Sequence, residues 1–335
     1  MSYETRSTGL VNCGRELRDY GTDGLSLDSG TGRMDPIDAF LFVVPVVVWL
    51  CWPFLVRGSD RVAAKGDSIS SSPPVVVLAA AAGLMGASVV PRGPWAVAMA
   101  SPWFVVTLWL GVRGLAFFWH SVFAPKNDLK PFATPSEVCI HIGMVFVAVG
   151  GFWAVVAKNG TEAFGYSYDI VRLTGVHFHF AGLGLPVIAA NVVKRLPRRI
   201  GWTISGAVLL GIPLVGVGIV ASPTIEIVGV ILLTLGCVSV AGYQIWLAAR
   251  ANEPATLIYL CVSSLALFVG MTLAMIYAWG EFTNHQRLPI PTMAATHGLA
   301  NGLGFTLCGL LGWRRVANVD SRARAGQAPA RILCR

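Results

Sequence analysis

Long runs of apolar residues recur along almost the whole chain, and they restrict the fold more than any other feature. A helix that crosses the hydrocarbon core of a bilayer needs about 20 mainly apolar residues. We count about nine such runs in the 335 residues, at 37–56, 74–90, 95–118, 135–156, 168–193, 201–219, 223–249, 254–280 and 289–312. Apolar side chains make up 55% of the chain and charged ones 13%, which excludes an ordinary soluble domain. The sequence predicts an all-α, polytopic transmembrane helix bundle of about nine spanning helices, with the lipid bilayer as its first partner.

The two ends of the chain depart from this pattern. Residues 1–33 are polar and glycine-rich and hold no apolar run, so they cannot form a signal peptide. We expect them to be a disordered extension, or the product of a reading frame that starts ahead of the true one. Residues 34–313 form the predicted transmembrane domain, and residues 314–335 a disordered, basic cytoplasmic tail.

The Lys and Arg residues predict the orientation, because cytoplasmic loops retain an excess of them. With nine helices, the loops of one side hold most of the basic residues, including KRLPRR at 194–199 and the C-terminal tail. We therefore predict a multi-pass protein of the cell membrane with an outside N-terminus and a cytoplasmic C-terminus. The net charge of +8 follows from the same bias, so it calls for no nucleic-acid partner.

A few ionisable side chains lie in these apolar runs, where each is costly and therefore a functional candidate by default. Glu137 and His141 are four residues apart, on one face of the fourth helix, and can hydrogen-bond. Such a pair can hold a carboxyl in the protonation state that a proton donor needs. A polar helix start is the structural alternative, because the dipole at a helix N-terminus favours a carboxylate there.

The stretch VRLTGVHFHFAGLGLP, at 171–186, places two imidazoles one residue apart. Residues two apart on an α-helix point about 200° from each other, so His177 and His179 cannot both enter one pocket by regular geometry. Either one faces a cavity while the other bonds to a neighbouring helix, or the helix is locally unwound. Pro186, which follows Gly182 and Gly184, favours a kink. A kinked, glycine-rich helix beside two imidazoles is typical of backbone that lines a cavity.

The stretch MAATHGLANGLGF, at 293–305, has the same character. His297 and Asn301 are four residues apart on one helix face, and the glycines among them let another helix approach closely. Glu281 lies in the connection just before this helix. With the predicted orientation, Glu281 and the three histidines of the two stretches all lie in the outer half of the membrane, where they can converge.

The two histidine stretches resemble the signatures of the YndJ-like family of bacterial multi-spanning membrane proteins. LTGVHFHFAGLGLPVIA and MAATHGLANGLGF are similar to its HFH and HG-x-x-N motifs, in the expected order, and a looser resemblance covers about 135–313. The resemblance implies that His177, His179, His297 and Asn301 are signature positions. Most members have no assigned activity, but a branch of comparable actinobacterial proteins is associated with cyclisation of prenyl chains in indole-terpenoid pathways.

That branch implies a membrane terpene cyclase, of the intramolecular lyase or isomerase type, that acts on a prenylated small molecule without a metal or cofactor. A buried carboxylic acid would protonate the terminal alkene or epoxide of a prenyl chain on an aromatic acceptor. The resulting cation must be kept from water until the ring closes and a proton leaves. We propose Glu137 and Glu281 as candidates for this acid because a carboxyl in a membrane helix is costly and therefore a functional candidate. The family resemblance does not indicate them.

The side chains predicted to take part in catalysis are Glu137, Glu281, His177, His179 and His297. The side chains predicted to contact the substrate are His141, Asn301, Trp109, Trp153 and Trp279. The aromatic members of the second group can stabilise a travelling cation. For each tryptophan, a place in the aromatic belt at the membrane interface is the structural alternative.

Two other classes of function remain open. Broken helices with polar centres also suit a proton-coupled transporter, although no internal repeat relates the two halves of the chain. Imidazoles also suit haem or a transition metal in a redox protein. The seven cysteines contain no CxxC pair, and no Cys or carboxylate stands at a ligand spacing beside the histidines, so the sequence predicts no metal site. The oligomeric state is left open.

Overall fold

The computed structural model describes residues 35–59, 73–123, 133–285 and 288–324. The predicted N-terminal extension and residues 325–335 of the predicted tail lie outside these ranges. The described residues form nine helices and no β-sheet. Seven of these helices are uninterrupted: α1 (Pro36–Ser59), α2 (Val75–Ala87), α3 (Pro94–Phe123), α4 (Pro135–Ala157), α6 (Arg198–Ala221), α7 (Pro223–Ala248) and α8 (Pro254–Thr283).

The other two helices, α5 and α9, each contain a π-helical stretch. Helix α5 consists of Tyr168–His179, the π-helical Phe180–Gly184 and Leu185–Val193. Helix α9 consists of Ile290–Leu299, the π-helical Ala300–Leu307 and Cys308–Arg324. The nine helices coincide with the nine apolar runs, so the predicted all-α membrane bundle is confirmed.

Seven of the helices, α1 and α3 to α8, are long and apolar enough to cross a membrane. Helix α2 has 13 residues, fewer than the roughly 20 that a span needs. Helix α9 reaches that length only as the sum of its three segments, of 10, 8 and 17 residues. The structure therefore supports a multi-pass protein in which two helices deviate from a plain span.

Successive helices run in opposite directions, so the bundle has two end faces. Odd-numbered helices begin, and even-numbered helices end, at one face, which we call the Asp35 face. There the Arg172 guanidinium of α5 pairs with the carboxylates of Asp35, Asp38 and Asp169, which ties the start of α1 to α5. Burial raises the pKa of Asp35, but the backbone N–H of Asp38 and the Arg172 guanidinium outweigh that effect and lower it.

Lys158, at the end of α4, completes the charge cluster of the Asp35 face. Its side chain is 3% exposed, and its Nζ donates a hydrogen bond to Ser88 Oγ at 2.9 Å. Burial is the main cause that lowers the pKa of Lys158 to about 8, against a smaller opposing effect of Asp38. This ammonium group therefore stabilises the fold less than an exposed one at neutral pH.

The opposite face, which we call the Lys194 face, is where the α5–α6 connection and the end of α9 meet. Arg195 pairs with Asp320 at 2.5 Å, and Arg315 pairs with Glu253 at the start of α8. These ion pairs hold helix α9 as far as Arg324. Helix α9 thus continues past residue 313, the predicted end of the transmembrane domain.

Glycines set the close spacing of α6 and α7. A Cβ on Gly211 would lie 2.7 Å from Leu233 Cβ, and one on Gly218 would lie 2.2 Å from the backbone nitrogen of Glu226. Small residues allow such contacts between membrane helices. In the half of the bundle toward the Lys194 face, nearly every residue of the α5 segment Leu185–Val193 is buried. That half is therefore tightly packed, in contrast to the half toward the Asp35 face.

Candidate functional site

A cavity of about 610 Å³ lies between α1, α4, α5, α6, α7, α8 and α9. Most of its wall is apolar, with aromatic rings from Phe40, Trp153, Phe180 and Phe305. Cavities of this size and character are typical of sites for small ligands. The lining residues of α6 and the first turns of α5, α7 and α9 place the cavity toward the Asp35 face.

The cavity opens between the outer parts of α5 and α6. Helix α5 packs on α6 through Leu185–Val193, whereas its segment Tyr168–His179 packs mainly on α4 and α1. Two lining residues of α6 beside this gap, Val217 and Val220, are 53% and 52% exposed. Exposed apolar residues at the edge of a cavity are typical of a surface that meets lipid or another apolar partner.

The two histidines of the HFH stretch point in different directions, as helix geometry predicts. His177 lines the cavity. His179 is fully buried on the other side, where it accepts a hydrogen bond from Trp103 Nε1 at 3.1 Å and donates from Nδ1 to the Gly175 carbonyl at 2.7 Å. Gly150 of α4 leaves room for this ring, because a Cβ there would lie 2.7 Å from His179 Nδ1. His179 therefore joins α3 to α5 and does not reach the cavity.

His297 and Asn301 form a hydrogen-bonded unit on the cavity wall. His297 Nδ1 lies 2.9 Å from the Gly270 carbonyl of α8, and Asn301 Nδ2 lies 3.1 Å from His297 Nε2. Gly270 makes this arrangement possible, since a Cβ there would lie 2.3 Å from Asn301 Oδ1. The predicted pairing of the two residues on one helix face is thus observed, with α8 as the third participant.

Both motifs run directly into the π-helical stretches. In α9, the widened turn leaves the Asn301 carbonyl to be bonded by the Thr306 hydroxyl, at 2.8 Å. In α5, Gly184 faces the same threonine, and a Cβ there would lie 2.4 Å from Thr306 Cγ2. The sequence predicted a kink near Pro186, and the observed irregularity is a π-helical turn that ends just before it. Such turns occur frequently at functional sites.

Two polar atoms at this place are buried and have no hydrogen-bond partner among the described residues. They are His177 Nε2 and Asn301 Oδ1. A buried polar atom without a partner costs about 1–3 kcal/mol, so such atoms are rare and need an explanation. Both side chains line the same cavity. A ligand in the cavity that bonds to both atoms is one way to satisfy them.

The structure does not bring Glu137 and His141 to this site. Glu137 forms a capping box with Thr134 at the start of α4, near the Lys194 face. His141 donates to the Glu137 backbone carbonyl at 2.6 Å, and its ring stacks on Phe117 at a centroid distance of 3.7 Å. The structural alternative for this pair, a polar helix start, matches these contacts. Neither side chain is part of the cavity wall.

Of four other predicted site residues, three lie away from the cavity wall and one lies on it. Glu281 lies at the end of α8 and does not belong to the described cavity wall, and Trp109 and Trp279 are 41% and 59% exposed on the bundle surface. Their exposure matches the alternative of a lipid or interface position. Trp153 does line the cavity, where its ring contacts Phe164 and Tyr166 edge-on.

Sequence reasoning missed the carboxylate of the cavity wall. Glu226 is 5% exposed and is the only carboxylate among the described residues of the cavity wall. It lies in the first turn of α7, where the short connection through Ser222 and the glycine contact at Gly218 draw it inward. A signal was available, since Glu226 stands inside the apolar run 223–249.

Within the described ranges, no three His, Cys, Asp or Glu side chains come together in a group that could hold a metal ion. The donor set around His177 and His297 is therefore one of hydrogen-bonding groups facing an apolar space. It can orient the head of a lipophilic molecule, accept a proton, or pass one on.

The comparisons with known proteins agree with this description. Residues 39–305 match the family described as YndJ-like protein, and the match includes both histidine motifs. The chain is also similar to an uncharacterized membrane protein YndJ of Bacillus subtilis (strain 168), with 27% identity over 220 residues. That alignment covers 63% of this chain and 40% of the relative, so the chain matches less than half of the relative's length. No solved structure is significantly similar to the chain. A match over most of the chain, with the motifs that form the cavity wall inside it, shows that the protein belongs to the YndJ-like family.

Proposed function

We propose that the protein is a membrane enzyme that takes a lipophilic substrate from the bilayer and cyclises its prenyl chain by proton-initiated chemistry. The observation that carries this proposal is Glu226, the one carboxylate among the described residues on the wall of an apolar cavity. Glu226 replaces Glu137 and Glu281 as the acid, because neither of those side chains lies on the described wall.

The cavity supplies the other requirements of such a reaction. A carboxylic acid can donate a proton to an alkene or an epoxide, after which a new carbon–carbon bond closes the ring. The rings of Phe40, Phe180 and Trp153 offer π faces to the cation, and the apolar wall keeps water from it. The final proton leaves to His177, whose Nε2 has no described partner. The product is an isomer of the substrate, so no cofactor enters the balance.

The distance between the two polar ends suits a folded prenyl chain. Counted along the helices at 1.5 Å per residue, Glu226 lies about 5 Å from the start of α7, whereas His177 lies about 14 Å from the start of α5. The acid therefore stands near the Asp35 face, and the histidines stand nearer the middle of the bundle. A substrate head at the histidines places the end of its prenyl chain near Glu226.

The tight packing between the cavity and the Lys194 face favours an enzyme over a transporter. A transported solute needs a path to each side of the membrane, and in this structure the segment Leu185–Val193 and its neighbours fill the half toward the Lys194 face. A proton-coupled flux of a solute through the protein would overturn this preference.

We further propose that the Asp35 face lies outside and the Lys194 face in the cytoplasm, as the positive-inside bias indicates. A reporter fused after Arg199 should then be cytoplasmic, and one fused after Ser222 should be external. Equal signals from the two fusions would contradict the orientation and the depth assigned to the histidines.

The proposed activity is tested on membranes that contain the protein, supplied with a farnesylated indole or its terminal epoxide. The expected product is a cyclic isomer of unchanged mass, formed without an added cofactor. Glu226→Gln should abolish turnover while the folded protein remains, whereas the matched control Glu137→Gln should keep it. Full activity of Glu226→Gln would remove the acid assignment, and the absence of any isomer would remove the cyclase proposal.

A further inference from the structure

The hydrogen-bond network around Asn301 specifies the kind of head group that the cavity binds. We propose that the cavity selects a neutral ligand whose head donates a hydrogen bond to Asn301 Oδ1, and that it rejects heads that are anionic or can only accept. This inference deepens the proposed function, because it concerns the substrate of the same cavity.

The donors and acceptors of this hydrogen-bond network can be assigned by starting from a backbone group. The Gly270 carbonyl can only accept, so His297 Nδ1, at 2.9 Å, must donate to it. In a neutral imidazole the other nitrogen is then an acceptor. Asn301 Nδ2 lies 3.1 Å from His297 Nε2 and 3.2 Å from His297 Nδ1. Since Nδ1 already donates to the Gly270 carbonyl, Nε2 is the nitrogen to which the amide can donate. The amide is fixed with its nitrogen toward His297, and Oδ1 is the end that remains.

Asn301 Oδ1 carries lone pairs and no proton, so only a donor can bond to it. This atom is buried and has no partner among the described residues. A hydroxyl or an N–H group of a ligand satisfies it, whereas an ether or an ester leaves it unpaired. His177 Nε2, on the facing helix, is a second unpartnered atom at the same cavity and can bond to the same head group.

The charges of the cavity wall exclude an anionic head. No Lys or Arg occurs among the lining residues that the structure describes, and Glu226 contributes a carboxyl. A carboxylate or phosphate head would be buried there without a cation, which is costly. The apolar remainder of the wall suits an uncharged hydrocarbon chain. A prenyl alcohol or a prenylated N–H heterocycle fits these conditions, and a prenyl diphosphate or a fatty acid does not.

The test uses three probes with the same chain and different heads: farnesol, farnesyl methyl ether and farnesoic acid. Binding of tritiated farnesol to the purified full-length protein in lipid nanodiscs is measured at neutral pH, and the two unlabelled analogues are used as competitors. We expect the ether to compete about tenfold more weakly than unlabelled farnesol, since it leaves a buried acceptor unpaired. We expect the acid to compete more weakly still.

A variant links the selectivity to Asn301. Asn301→Leu should weaken farnesol to the affinity of the ether, while Asn191→Leu, on the inner segment of α5, should leave the ratio between the two unchanged. The comparison of probes on the unmodified protein holds even where the Asn301 variant fails to fold.

Each outcome decides one of the two proposals. Equal competition by farnesol and its ether, tight binding of farnesoic acid, or no specific farnesol binding overturns the inference about the head group. If the selectivity is observed but no prenyl substrate is isomerised, the head-group inference stands and the cyclase proposal fails.

Discussion

The two histidines of the HFH stretch should respond in opposite ways to the same substitution. His179→Leu removes the acceptor of the Trp103 indole N–H, and both side chains are fully buried. It also removes the donor to the Gly175 carbonyl, and it places a branched side chain where Gly150 leaves room only for a flat ring. His177→Leu removes an imidazole whose Nε2 has no partner among the described residues.

The expected magnitudes follow from these contacts. A buried donor left unpaired costs about 1–3 kcal/mol in proteins generally. Side-chain hydrogen bonds between membrane helices average about 0.6 kcal/mol, with a maximum of about 1.7. We therefore expect His179→Leu to lower the free energy of unfolding by about 1–2 kcal/mol. His177→Leu should change it by less than about 0.5 kcal/mol or raise it, because it replaces an unsatisfied polar group by an apolar one.

The assay is unfolding in mixed detergent and SDS micelles, followed by tryptophan fluorescence, with farnesol binding measured on the folded fraction. His179→Leu should be less stable and bind normally, and His177→Leu should be stable and bind weakly. Greater destabilisation by His177→Leu than by His179→Leu would refute the assignment of one histidine to the scaffold and the other to the site.

Two further predictions concern the scaffold. Gly184→Ala should lower the free energy of unfolding by about 1–3 kcal/mol, because its Cβ would lie 2.4 Å from Thr306 Cγ2. The control Gly206→Ala, with nothing within 4 Å of the new Cβ, should be neutral or stabilising. Equal effects of the two substitutions in the same unfolding assay would contradict the close packing of the two π-helical turns. The apparent melting temperature should rise between pH 8 and about pH 10.5, because the pKa of Lys158 is about 8 in the folded protein and 10.5 for an unperturbed lysine, so the unfolded chain binds more protons in that window. This rise should be smaller in Lys158→Met and unchanged in Lys194→Met, and a profile of Lys158→Met that matches the unmodified protein would count against the burial of Lys158.

The helices could be predicted because each follows from local composition. The length of an apolar run fixes a membrane helix, and Pro94, Pro135, Pro223 and Pro254 mark starts that sequence can show. The divergence of His177 and His179 could also be predicted, since it follows from the angle between residues two apart. These features need no knowledge of which helices are neighbours.

The cavity wall could not be predicted to the same extent, because it depends on how the helices pack. Glu137 and Glu226 both stand in the first turn of an apolar helix, yet one is held by a capping box and the other lies on the cavity wall. The difference arises from Gly218, which brings the start of α7 against α6. Likewise, the free end of Asn301 is set by the Gly270 carbonyl, 31 residues earlier on another helix. The two π-helical turns meet where Gly184 faces Thr306, a contact that a single-helix pattern does not contain.

The source of the proton that starts the reaction decides whether Glu226 is the acid. When membranes containing the protein are incubated in heavy water with unlabelled farnesylated indole, whose terminal alkene takes the proton on carbon, Glu226 exchanges its proton with solvent between turnovers and delivers deuterium to the substrate. We predict a cyclic product that carries one carbon-bound deuterium from the unmodified protein and no product from Glu226→Gln. A deuterated cyclic product formed at the full rate by Glu226→Gln, or a cyclic product without deuterium from the unmodified protein, would contradict the account.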